Sequence, residues 1–189
     1  MSLPSTEFDS ARISFIHARP EHLGAWKAFM QDPEVMRFIF GGWNPDDTEL
    51  NDMLTRNLRY WSRYRMGWWS VLERHTGEII ASCVVDVSCS GSSEIGYIIR
   101  QQSWRQGFGK EIVVALCRYS FEVESIESIK AYVNEGNEGS IKILERLGFT
   151  RDSRAVFAGR PCINFGMRRN AYMATVSPST PQSASNPQT

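Results

Sequence analysis

The chain has 189 residues, enough for one domain that buries most of its apolar surface. Its 21 basic and 21 acidic residues cancel, which leaves no bulk field to recruit nucleic acid or an anionic membrane. No apolar run approaches the ~18 residues that cross a bilayer, and the N-terminus lacks a signal-type apolar stretch, so a cytoplasmic protein is expected.

In chain order, residues 1–10 read as a flexible N-terminus, and the alternation in "RISFIHA" (12–18) predicts a strand. "PEHLGAWKAFMQD" predicts a helix with Pro20 in its first turn, and "DPEVMRFIFGGW" a short helix ending at Gly41-Gly42. Leu50, Met53, Leu54, Leu58, Trp61 and Tyr64 recur at helical spacing behind Asp46 or Asp47 as cap. "WWSVLER" (68–74), "EIIASCVVDVS" (78–88) and "SEIGYIIR" (93–100) predict an antiparallel meander turned at Thr76-Gly77 and Ser90-Gly91. A helix over "GKEIVVALCRYSFEV" follows, then a strand over 128–133 and a helix from cap Asn137 to stop Gly148. "FTRDSRAVFA" and "INFGMRRN" predict a closing antiparallel pair. Residues 174–189, rich in Ser, Thr, Pro and Gln, predict a disordered tail, which leaves one domain over 11–173. The fold class is α+β: a mixed, mostly antiparallel twisted sheet of about seven strands flanked by about four helices, in the order β-α-α-β-β-β-α-β-α-β-β.

The cysteines at 83, 89, 117 and 162 have no CxxC spacing, and His17, His22 and His75 have no i,i+4 pairing, so no metal site is expected. The chemistry sits at "SWRQGFGKEI" (103–112). A strand runs into Gly107-Phe108-Gly109 and an amphipathic helix leaves it. Helix-start amides carry partial positive charge and suit an anion such as a pyrophosphate. Glycines let the anion approach without a Cβ in the way, and Arg105 and Lys110 add charge nearby. A dinucleotide fingerprint is disfavoured, because there is no third glycine and the loop follows an antiparallel meander. A Walker loop fails for want of a following Lys-Ser or Lys-Thr. A simple tight connection remains the bland reading.

"EIGYIIRQQSWRQGFGKEIVVAL" resembles motif A of the GCN5-related N-acetyltransferase (GNAT) superfamily, and Trp104 fits its ribosomal-protein-acetylating, RimJ/RimL-like branch. "NEGSIKILERLGF" is similar to that branch's N-x-x-S…LGF segment, "RISFIHARPEH…DPEVMRF" to its opening and "GRPCINFGMRRN" to its closing strand. The resemblance runs over roughly residues 11–172. It departs at "RISFIHA", where RLxLR wording is usual, and at Pro161-Cys162, where an aspartate often stands.

The resemblance implies transfer of an acetyl group from acetyl-CoA to a primary amine by direct attack. It implies that backbone amides of Arg105, Gln106, Gly107, Phe108, Gly109 and Lys110 bind the pyrophosphate. The preceding strand carries a bulge in that family and splays from its neighbour, so Tyr97, Ile98, Ile99 and Arg100 would pair with the pantetheine arm. An amide within Ile98–Arg100 would be the oxyanion donor. Ser140 would donate to the departing thiolate and Asn137 would contact the arm; a plain N-cap with a small first-turn residue is the alternative. Glu94 is the carboxylate beside the motif and the candidate base, against a merely solvated strand end, with Asp86 the second choice. The acceptor is expected near residues 38–43, the second helix and the last hairpin, with Trp43 at the mouth, although aromatic residues at these spacings are most often core. A non-catalytic acyl-CoA sensor of the same fold is the alternative function, and the chain could be a monomer or a homodimer.

Overall fold

The computed structural model describes residues 8–39, 41–64, 67–87, 92–123, 125–157 and 159–176. The expected turn at Ser90-Gly91, most of the expected tail and residues 1–7 lie outside the described residues.

Among the described residues eight strands form one sheet: β1 (Phe8–Asp9), β2 (Ile13–His17), β3 (Gly67–Glu73), β4 (Ile79–Val87), β5 (Ser92–Ile99), β6 (Ser128–Asn134), β7 (Thr150–Phe157) and β8 (Arg160–Arg168). Their order across the sheet is β1-β2-β3-β4-β5-β6-β8-β7, and every pairing is antiparallel except β5 with β6. Among the described residues six α-helices accompany them: α1 (Leu23–Met30), α2 (Pro33–Met36), α3 (Asp47–Tyr64), α4 (Phe108–Arg118), α5 (Glu138–Arg146) and α6 (Arg169–Val176). The α+β class and the mixed, mostly antiparallel sheet are as expected.

The expected order β-α-α-β gives way to three helices, α1 to α3, between β2 and β3, and the count also differs at both ends. Phe8–Asp9 form a strand inside the stretch read as loose, because the Phe8 ring stacks on Phe15 at 4.2 Å and earns its order by burial. The helix α6 enters the stretch read as tail, with Tyr172 packed on Phe121. Neither segment has a periodic run long enough to announce itself.

Side-chain alternation along the central strands divides the core. Trp69, Val71, Cys83, Val85 and Ile95 pack with Ile112 and Leu116 of α4 and Ile141 and Leu144 of α5. On the other face Ile98 and Trp68 meet Trp26 and Phe29 of α1 and Leu50 and Leu54 of α3. Helix α3 starts at a capping box: Asp46 accepts from the Glu49 amide at 2.8 Å and Glu49 from the Asp46 amide at 2.9 Å. Asn137 caps α5 by accepting from the Ser140 amide, and Gly148 ends it at φ +86°. No helix among the described residues is long and apolar enough to cross a membrane.

Candidate active site

The site begins where two neighbouring strands part. β5 pairs with β4 at seven positions, from Ala81–Ile99 to Val87–Ser93, but with β6 at three, the last being Glu94–Lys130. Beyond Glu94 the β6 side of β5 is open, as a ligand that adds itself to a strand edge requires. The register of β5 against β4 is regular throughout, so the expected bulge in β5 is absent and the splay alone opens the gap.

Backbone direction decides which groups face that gap. The Arg100 N–H donates to the Ile80 carbonyl at 3.0 Å. Ladder bonds alternate along an antiparallel strand, so Ile98 also points its amide at β4, whereas Tyr97 and Ile99 point theirs at the gap. Of the three amides considered for an oxyanion, Ile99 is the one turned the right way. Its carbonyl is already taken by the Trp104 indole N–H at 2.8 Å.

After β5 the chain makes a short turn at Gln101–Ser103 and enters the glycine loop. Arg105 at φ +60° and Gly107 at φ +85° both lie in the left-handed region. Gly107 is the N-cap of α4 and gives it no side-chain cap, so the first-turn amides of Phe108, Gly109 and Lys110 are left for another partner. The two glycines have different reasons. A Cβ on Gly107 would meet only the Arg12 guanidinium at 3.4 Å, which leaves open space before the helix. A Cβ on Gly109 would stand 2.9 Å from Ile143 and close to Ile99 and Tyr97. Gly109 therefore serves the packing of α4 on α5 and β5, which corrects its reading as clearance for an anion.

The loop is braced from the far end of the chain. The Arg12 guanidinium pairs with Glu111 in the first turn of α4 at 2.8 Å, donates to the Gln106 carbonyl at 2.9 Å, and lies 4.4 Å above the Phe108 ring. Ser10 also donates to Glu111. Burial alone would raise the Glu111 pKa, but the bonds from Ser10 and Arg12 prevail and hold it below the usual value. The sequence carries no local sign of this brace, because Arg12 and Glu111 are 99 residues apart. Gln106 turns its side chain back to the Gln102 carbonyl, Lys110 is exposed, and Arg100 is tied to Glu78 and Ser103.

Glu94 sits at the apex of the splay, half-buried and lining the cavity there. Burial raises its pKa, Asp86 directly opposite on β4 raises it further, and Lys130 opposite on β6 opposes both. Asp86 is exposed and accepts from the Tyr60 hydroxyl, so it tunes Glu94 from outside the cavity. On the other side of the sheet the Tyr97 hydroxyl and Ser140 Oγ are 2.9 Å apart, and both line the cavity. Tyr97 thus contributes a side chain as well as backbone. Its phenol is raised by burial and lowered by the bond to Ser140. Asn137 lines the cavity while it caps α5.

The cavity holds about 900 Å³ including its open mouth and runs through the gap from Ser140 and Asn137 to a far side walled by Phe38, Trp68, Tyr132 and Phe157. The segment 38–43 and the last hairpin do line it, through Phe38, Ile39, Gly41, Phe157 and Arg160. Trp43 does not: it packs against the α1–α3 cluster, and Trp68 lines the mouth instead. Trp61 and Trp69 are core residues.

A strand that leaves its partner beside an uncapped, glycine-led helix start offers an extended ligand with an anionic end a place to lie. A family model described as the acetyltransferase (GNAT) domain matches residues 12–150, and the chain belongs to that family and is an acyltransferase. It is 28% identical over 127 residues to an uncharacterised N-acetyltransferase, p20, of Bacillus licheniformis, covering 66% of this chain and 71% of the relative. An uncharacterised Bacillus subtilis protein, YkkB, is 26% identical over 120 residues, covering 62% of this chain and 69% of that one. Among solved structures, spermidine N-acetyltransferase from Vibrio cholerae in complex with CoA and spermine aligns with a TM-score of 0.75 at 15% identity, covering 87% of this chain and 99% of that one. Ribosomal-protein-S5-alanine acetyltransferase from Vibrio fischeri aligns with a TM-score of 0.71 at 14% identity, covering 88% and 98%. At such identity these structures share the fold. Their differing acceptors show that the fold does not select one.

Proposed function

We propose that the chain moves an acetyl group from acetyl-CoA to a primary amine by direct attack within a ternary complex. The observation that carries this reading is the parting of β5 from β6 at Glu94, between the open Gly107 loop and the aromatic-walled mouth. From Glu94 to Ile99 is about 17 Å at ~3.4 Å per residue, so a ligand held at both the loop and the apex lies extended along β5.

In this reading the first-turn amides of α4 bind the pyrophosphate and the gap-facing backbone of Tyr97 and Ile99 pairs with the arm. The Tyr97 N–H, the nearer of these two gap-facing amides to Glu94 and the one beside Ser140, supports the oxyanion as charge develops there. Glu94 takes a proton from the ammonium; a carboxylate raised by burial and by Asp86 is a better base than an ordinary one. The C–N bond forms and the C–S bond breaks; Ser140, hydrogen-bonded to Tyr97, passes a proton to the thiolate and regains one from solvent, and the second proton that nitrogen sheds leaves to solvent.

A covalent cysteine route has little support. Cys162 lines the cavity, but burial pushes its thiol up and Glu135 adds to this, against a hydrogen bond at Phe157. The test is release of free thiol from acetyl-CoA across a panel of amines and peptide N-termini, with acetylated products read by mass spectrometry. Products that form and depend on Glu94 support the reading. Acetyl-CoA binding with no turnover on any amine would instead make the chain an acyl-CoA sensor.

A further inference from the structure

The far side of the cavity names a class of acceptor, an inference that rests on the transferase reading above. We infer that the acceptor is a compact primary arylalkylamine: one ammonium on a short linker to a flat apolar body.

Three observations carry it. The first is the wall. Phe38 follows α2, Trp68 stands on β3, Tyr132 on β6 and Phe157 on β7, so four separate elements each deliver an aromatic ring to one mouth. Tyr132 and Phe157 stack nearly parallel, with centroids 5.5 Å apart and planes 9° apart, and Phe157 is still 37% exposed. Rings held in parallel at an open edge offer a flat apolar surface, which another ring covers with little loss of freedom.

The second is charge. Among the described residues lining the cavity, Glu94 and Arg160 are the charged ones. The Arg160 guanidinium donates to the neutral Arg37 carbonyl at 2.8 Å, which fixes its place but leaves its positive charge, so it offers an ammonium no attraction. One carboxylate is left to meet one ammonium. The second acid on this face, Asp86, is outside the cavity and bonded to Tyr60. An acceptor with several ammonium groups would have to leave the others against aromatic walls, without a counter-charge.

The third is closure. The same Arg160 bond ties the β7–β8 hairpin to the α2–α3 connection, joining the two walls of the mouth, and Phe38 abuts the β6–α5 turn, 2.9 Å from a Cβ on Gly136. A peptide needs a groove continuing past its first residue. A mouth tied across its top suits a small body.

In the transfer the acetyl carbon leaves sulfur for nitrogen; of the two protons the ammonium sheds, Glu94 takes one and hands it to solvent, and the other balances the proton gained by the thiolate, so no further reactant is needed. The test uses the full chain saturated with acetyl-CoA and four acceptors: 2-phenylethylamine, propylamine, spermidine and an alanine-initiated tetrapeptide. The expected result is a kcat/KM for phenylethylamine about tenfold or more above each of the others. Phe157→Ala should raise the phenylethylamine KM about fivefold or more while the calorimetric Kd for acetyl-CoA is unchanged. A preference for spermidine or the peptide overturns the class and leaves the transferase reading standing. If no amine is turned over, phenylethylamine is titrated into the CoA-saturated protein, and absence of binding overturns the class as well. Failure of acetyl-CoA itself to bind removes the transferase reading, and the class with it.

Discussion

The two ends of the cavity are built in opposite ways. The loop end is made mainly of backbone from one continuous stretch, Tyr97 to Lys110, with the Asn137 and Ser140 side chains beside it and a distant brace at Ser10 and Arg12. The mouth is made of side chains from four elements spread between residues 38 and 160. A coenzyme that many acyltransferases share can be bound by backbone geometry alone, whereas an acceptor must be recognised by side chains. The loop end is therefore expected to tolerate changes of side chain but not of conformation, and the mouth the reverse.

The largest effect is expected where the two ends meet. Glu94→Gln should lower kcat by about 10²–10⁴ while acetyl-CoA binding persists. In the unmodified protein the acidic limb of kcat/KM should sit above the ordinary glutamate range, because burial and Asp86 raise Glu94, and activity should fall as pH drops through that limb. A Glu94→Gln protein with unchanged rate and pH profile would take the carboxylate out of the chemistry.

Next comes conformation at the loop end. Gly107→Val forces a branched residue to φ +85°, at a cost of ~1–2 kcal/mol or more. Acetyl-CoA affinity should fall about tenfold, with a Tm loss of roughly 2–8 °C. Smaller again is the brace: Arg12→Ala should raise the KM for acetyl-CoA about three- to tenfold and spare kcat, since its ion pair is partly exposed. A kcat loss with unchanged KM would show that Arg12 does not position the loop.

The subtlest change tests the tuning of the base. Asp86→Asn removes the negative charge that raises Glu94, so the acidic limb should move to lower pH, by less than about one unit. An acidic limb that stays where it was would show that Asp86 does not tune that carboxylate.

The asymmetry between the ends also explains what could be read from residues alone. Glu94, Gly107 and the Asn137–Ser140 pair are legible because a strand, a glycine turn and a helix cap each leave a short-range pattern. Gly109 was legible as a requirement but not for its reason, since the Ile143 methyl that excludes a Cβ arrives from another helix. The Arg12–Glu111 pair and the Arg160–Arg37 tie join residues 99 and 123 positions apart, and no periodicity announces such partners. Trp68 and Trp69 are adjacent in sequence, yet strand alternation sends one to the cavity and the other to the core. Only the register says which. The splay at Glu94 is likewise a property of two strands together, so it came from family likeness rather than from either strand's own residues.

Calorimetric titration of acetyl-CoA into the full chain tests the central claim most directly. The account predicts one-to-one binding that Glu94→Gln leaves intact and Gly107→Val weakens about tenfold. A thermal shift should accompany it, since a ligand at about 100 times its Kd stabilises by ~2.7 kcal/mol. No heat and no thermal shift at millimolar acetyl-CoA, or equal binding by the Gly107→Val protein, would contradict it.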